Sequence, residues 1–143
     1  MIARIFADTS GLYAALVRND SMHPQAGPVL ESLLSNDCEI TTTSYVVLET
    51  VAILQARVGL EAARQFQRVL MPALNVVWID ERLHAAAFHR LETKNRREVS
   101  LVDCSSFVVM EENELAAAFV YDPHFTNEGF RAVRSKSDLG AKH

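Results

Sequence analysis

Along the chain, short β-branched or apolar runs alternate with longer stretches whose apolar residues recur at helical spacing. Residues 2–7 read as a first strand, and Asp8-Thr9-Ser10 supplies the cap of a helix through Leu12, Leu16 and Val17. Residues 19–28 hold Asn, Asp, Ser, two prolines and a glycine, which predicts a loop, and residues 29–35 form the end of a second helix. Residues 38–43 are β-branched and predict the second strand. Ser44 then caps a long helix carrying Val46, Val47, Val51, Ile53 and Leu54, closed by Gly59. Residues 60–70 predict a fourth, amphipathic helix stopped near Pro72, residues 75–79 a third strand, and Asp80 the cap of a fifth helix through Leu83, Ala86, Ala87 and Leu91. That helix decays into Lys94-Asn95-Arg96-Arg97. Ser100 caps the next, in which Leu101, Val102, Phe107, Val108, Val109 and Met110 are apolar. Residues 115–121 predict a short interior strand closed by Asp122 and the breaker Pro123, followed by a turn at 126–129 and an edge strand around 130–133. Trp78 and Phe107 are read as core.

Strands alternating with helices predict an α/β fold: a three-layer α/β/α arrangement of about five strands, mostly parallel, linked by right-handed crossovers. If strands one to three run outward on one side and strand four pairs on the other side of strand one, the sheet reverses between strands one and four. Ligands bind at such a switch, outside the carboxyl ends of the strands. Residues 1–134 are expected to form one domain and residues 135–143 a polar, mobile tail.

Composition narrows the picture. With 143 residues, 49% of them hydrophobic, the chain suffices for one domain with a substantial core. A formal charge of −4 argues against holding nucleic acid through bulk positive potential, while leaving room for a local basic patch. The group Arg90, Lys94, Arg96 and Arg97 is such a patch, a candidate to contact a nucleic-acid backbone, although each arginine taken singly reads as part of a solvated loop. Cys38 and Cys104 lack metal-ligand or C-x-x-C spacing, so free thiols are expected. No run approaches a transmembrane span and the first apolar run is too short for a signal peptide, so a soluble, cytoplasmic protein is expected.

Against this background four acids stand out. Asp8 and Asp122 close the first and fourth strands, at the carboxyl ends that border the switch. Glu49 has Tyr45, Val46, Ala52 and Ile53 as one-turn neighbours, and Asp103 lies in a largely apolar helix. A like-charged pair 4 Å apart repels by about 4 kcal/mol at an effective dielectric near 20, so converging carboxylates need protons or cations. An all-oxygen set without histidine or cysteine favours Mg²⁺ or Mn²⁺ and, with it, metal-assisted phosphoryl transfer. Ser10 and Ser106 are candidates to support these acids. His84 and His89 have the wrong spacing for helical metal ligands, and His124, two residues beyond Asp122, is read as structural ahead of substrate contact.

The segments FADTSGLYA around Asp8, TTTSYVVLETVAIL around Glu49, SLVDCSSFVVM around Asp103 and AFVYDPHFTNEGF around Asp122 resemble the PIN-domain nucleases, especially the VapC-type toxins of bacterial toxin–antitoxin pairs. Their order, their spacing and the chain length all match. The resemblance implies a homodimeric, Mg²⁺- or Mn²⁺-dependent endoribonuclease that leaves a 5′-phosphate and a 3′-hydroxyl and is held inactive by a small antitoxin. It implies that Asp8, Glu49 and Asp103 are the persistent metal-site acids, that Asp122 is the more variable fourth, and that Ser10 is a small polar neighbour of the site. An RNA-processing nuclease without an antitoxin and a non-cleaving RNA- or protein-binding module are alternatives on the same fold. A haloacid-dehalogenase-type phosphatase would want Asp-x-Asp after strand one, where Ser10 holds the second position, and a response-regulator-like switch would want paired acids there.

Overall fold

At the centre of the sheet lies β1 (Arg4–Ala7), flanked by β2 (Glu39–Thr43) and β4 (Ala117–Phe119), with β3 (Asn75–Val77) and β5 (Arg131–Val133) outermost. The order is β3-β2-β1-β4-β5, and every neighbouring pair is parallel. The chain therefore walks outward on one side of β1, then crosses back to pair β4 on the other. In this computed structural model, which describes residues 1–140, the expected switch point lies between β1 and β4.

Among the described residues eight α-helices cover the sheet: α1 (Thr9–Leu16), α2 (His23–Ser35), α3 (Ser44–Arg57), α4 (Leu60–Gln65), α5 (Glu81–Lys94), α6 (Leu101–Glu112), α7 (His124–Asn127) and α8 (Lys136–Leu139). α1 packs on α2 and α3, while α5 packs on α6, which also meets α7. Right-handed crossovers running in opposite directions from β1 place these two groups on opposite faces, giving the expected three layers. α1 comes unusually close to the sheet: a Cβ on Gly11 would sit 2.3 Å from the Phe119 carbonyl oxygen, so only glycine fits there.

An aromatic cluster binds α6 to the segment after β4. Phe6, Phe107, Phe119 and Phe125 are fully buried, and Phe107 meets Phe125 edge-on at 4.9 Å and stacks on Phe130 at 5.8 Å. Beside this cluster, Arg90 of α5 lies over the Phe107 ring, Arg90 and Lys94 close on Glu128 at 2.7 and 2.6 Å, and Arg90 also reaches Glu111. Most of the basic group is thus neutralised by local carboxylates.

Several local expectations are corrected. The loop expected over 19–28 gives way to α2 from His23: Pro24 stands in the first turn, where no amide is needed, and burial of Ala26, Val29, Leu30 and Leu33 outweighs the hydrogen bond lost at the internal Pro28. Thr43, rather than Ser44, caps α3, its hydroxyl accepting from the Val46 amide; the Ser44 hydroxyl instead accepts from the Ile79 amide. The fourth helix keeps α geometry only to Gln65 and passes through a π-helical turn (Phe66–Leu70) before Pro72. Trp78 is exposed and not core, because it leaves the end of the edge strand β3 where no layer covers it. Where a polar tail is expected, α8 packs on α2 and buries Leu139; residues 141–143 lie outside the described residues.

Candidate active site

The carboxyl ends of β1 and β4 open into a cavity of about 440 Å³. Asp8, directly after β1, is the N-cap of α1: one carboxylate oxygen accepts from the Ser10 amide and from the Ser10 hydroxyl at 2.9 Å. The same hydroxyl oxygen accepts from the Tyr121 amide, so Ser10 ties the end of β1 to the segment leaving β4. Asp103 stands in the first turn of α6, where its carboxylate accepts from the Ser100 amide while the Ser100 hydroxyl accepts from the Asp103 amide. This capping box, reinforced by the positive end of the helix, explains why an acid is stable in an otherwise apolar segment.

Asp122 follows β4 and accepts the His124 amide at 2.9 Å, which holds the two residues as one turn. His124 Nδ1 lies 3.1 Å from an Asp103 oxygen and 3.7 Å from an Asp122 oxygen. Ligating atoms of Asp103, Asp122 and His124 all fall within 4.8 Å of one another. Glu49 of α3 lines the same cavity, together with Asp20 and Glu98. Of the expected supporting residues, Ser10 is in place. Ser106 points away and donates to the Val102 carbonyl one turn back in α6, Arg96 is engaged by Glu98, and Arg97 does not line the cavity.

Two features go beyond the sequence reading. The acid cluster includes His124 and so is not an all-oxygen set; the signal available was the Asp-Pro-His spacing, which an Asx turn converts into proximity. On the rim, Arg57 lies over the Tyr13 ring and is, among the described residues, the one lysine or arginine that lines the cavity. The patterning of α3 gave no hint of it, because Arg57 closes the helix as an ordinary terminal cation.

The electrostatics of the cluster set what it can hold. Burial, with added repulsion from Asp122 and Asp103, lifts the Asp8 carboxyl to about 7 despite its bonds to Ser10. Burial likewise raises Asp103, against the opposing pull of the Ser100 amide and His124. Six carboxylates face one guanidinium across the cavity. Such a set fits a divalent cation, whose charge offsets the repulsion and whose coordination uses carboxylate oxygens.

A pH prediction follows from Asp8. Its folded-state value lies above the unfolded 3.8, so the metal-free native state binds the extra proton between the two values. The stability this proton supplies is complete below about 3.8 and is lost as pH rises through about 7. Metal-free wild type is expected to melt at a lower temperature at pH 8 than at pH 5.5, and Asp8→Asn to flatten that difference. Thermal denaturation in chelator across the range checks it; parallel curves for the two proteins would contradict the assignment.

The comparisons with known proteins agree with this geometry. A PIN domain matches residues 5–130. The 23S rRNA-specific endonuclease VapC20 of Mycobacterium tuberculosis is 30% identical over 131 residues, covering 91% of this chain and 98% of that protein. The crystal structure of VapC20, described as a sarcin–ricin-loop-cleaving toxin, superposes with a TM-score of 0.81 at 31% identity, over 91% of this chain and 98% of that one. A DNA-bound VapBC from Salmonella typhimurium has a TM-score of 0.63 at 14% identity, over 93% of this chain and 98% of that one, a likeness of fold alone. With a domain match spanning nearly all the strands and a VapC likeness along almost its whole length, the chain belongs to the PIN-domain family, and within it to the VapC-type proteins.

Proposed function

We propose that this protein is an endoribonuclease dependent on Mg²⁺ or Mn²⁺ and the toxin of a toxin–antitoxin pair. The observation that carries the reading is the convergence of Asp8, Asp103, Asp122 and His124 at the β1–β4 switch in an open acidic cavity. Asp8, Glu49, Asp103 and Asp122 would hold the ion, which when bound supplies positive charge to an attacked phosphodiester and acidifies water for the attack. Ser10 fixes the orientation of Asp8, and the capping box fixes Asp103. Arg57 places a cation where an incoming phosphate crosses the rim, and Tyr13 beneath it keeps the guanidinium from folding into the acids.

The test is incubation of purified protein with RNA carrying the sarcin–ricin loop, and with a mixed cellular RNA pool, in Mg²⁺, in Mn²⁺ and in chelator. Cleavage in either metal that chelator stops supports the reading; no cleavage in any condition, with no metal binding by calorimetry, overturns it. Arg57→Ala is expected to raise KM for RNA about fivefold with little change in kcat, the loss of about 1 kcal/mol that one exposed phosphate contact provides. Steady-state kinetics decides this, since a fall in kcat alone would place Arg57 outside substrate binding.

An antitoxin and a second copy of the chain are the protein partners of this reading. Leu48, Trp78 and Phe88 are large, apolar and exposed. Their elements lie side by side, joined by the Tyr45–His84 contact and the Ile79–Ser44 bond, and so offer a strip for association.

A further inference from the structure

We propose that His124 is a direct nitrogen ligand of the divalent ion, alongside Asp103 and Asp122, and that it biases the centre toward Mn²⁺ over Mg²⁺. The inference rests on the metal-dependent reading above and adds to it the donor set and the preferred ion.

Position is the first argument. His124 Nδ1 is 3.1 Å from an oxygen of Asp103 and 3.7 Å from one of Asp122, with all three ligating atoms inside 4.8 Å. Adjacent donors on a near-octahedral ion with bonds of about 2.1 Å lie about 3 Å apart, so the Asp103–His124 pair already has the separation of neighbouring ligands. Rigidity is the second. Asp122 holds the His124 amide, and the next residue, Phe125, is fully buried against Phe107 of the helix that carries Asp103. The imidazole is thus fixed from both sides, only 19% exposed, and faces the cavity it lines. Ligand chemistry is the third. Mg²⁺ prefers oxygen donors and keeps its waters, whereas Mn²⁺ stands higher in the nitrogen-affinity order and accepts an imidazole among carboxylates. One nitrogen in an otherwise carboxylate set tips the balance without excluding Mg²⁺.

The experiment is pulsed electron paramagnetic resonance of full-length protein loaded with Mn²⁺, in natural-abundance form and with ¹⁵N-labelled histidine. Isothermal titration of Mn²⁺ and Mg²⁺ into wild type, His124→Ala and His124→Gln accompanies it. The expected result is a directly bound nitrogen coupling that changes with the histidine label and disappears in His124→Ala. Mn²⁺ affinity is expected to fall about tenfold or more in both variants, with a smaller change for Mg²⁺. The labelled wild type gives an answer even if a variant fails to fold. Mn²⁺ bound with no histidine nitrogen coupling would overturn the proposal, leaving His124 as a hydrogen-bond partner of Asp103 and the nuclease reading intact. No binding of either ion to wild type would overturn both.

Discussion

Asp103→Asn is expected to lower RNA cleavage by about 10³-fold or more while leaving the fold in place. The amide oxygen of asparagine still accepts the Ser100 N–H, so the cap of α6 survives, but the negative charge nearest His124 is gone. A divalent ion contributes several kcal/mol to charge stabilisation in phosphoryl transfer, and each 1.4 kcal/mol is tenfold in rate, which sets that scale. The same variant is expected to melt no lower than wild type in chelator at pH 8, because burial and the nearby Asp122 both disfavour the charged form of the carboxyl it replaces. Cleavage assays paired with circular dichroism read both effects. Wild-type activity in a well-folded Asp103→Asn protein would remove Asp103 from the chemistry.

Gly11→Ala is expected to produce the largest loss of stability from a single added methyl. The new carbon would lie 2.3 Å from the Phe119 carbonyl oxygen and 2.9 Å from its carbonyl carbon, and backbone cannot swing aside as a side chain does. Relief requires α1 to lift from β4, which breaks the Ser10–Tyr121 bond and moves Asp8 away from Asp122. A destabilisation of at least about 3 kcal/mol, near the top of the range for overpacking, corresponds to a melting temperature lower by about 10 °C in a domain of this size. Calorimetry tests it directly. Retained stability would mean that α1 shifts freely over the sheet and that the geometry around Asp8 is soft.

The fold was legible because each strand is a short β-branched or apolar run separated from the next by capped helices, and because the long crossover before β4 allows it to pair back on β1. Asp8 and Asp122 could be placed by topology alone, since both terminate strands that border the switch. Asp103 and Glu49 required helix-face reasoning, and their inclusion in the cavity depends on how α6 and α3 approach the sheet. What the residue pattern hid was proximity created by turns. His124 reaches Asp103 across 21 positions because the Asp122 turn and the Phe125 anchor aim it there, which no periodicity encodes. The role given to Ser106 failed for a local reason: on α6 its hydroxyl finds the Val102 carbonyl one turn back before it can reach any acid. Arg96 similarly meets Glu98, two residues away, before it can meet anything distant. Trp78 was misplaced because an apolar run gives no sign of whether its strand stands at the centre or the edge of a sheet.

The serine at position 10 makes one hydroxyl serve the ends of two strands, donating a hydrogen bond to Asp8 and accepting one from the Tyr121 amide. Alanine there leaves the Tyr121 amide without its acceptor and Asp8 with only the backbone N–H of position 10, and aspartate sets a second negative charge against Asp8 while offering it no side-chain hydrogen. Threonine carries the same hydroxyl, so Ser10→Thr is expected to keep the end of β1 tied to the segment leaving β4 where Ser10→Ala lets the two part.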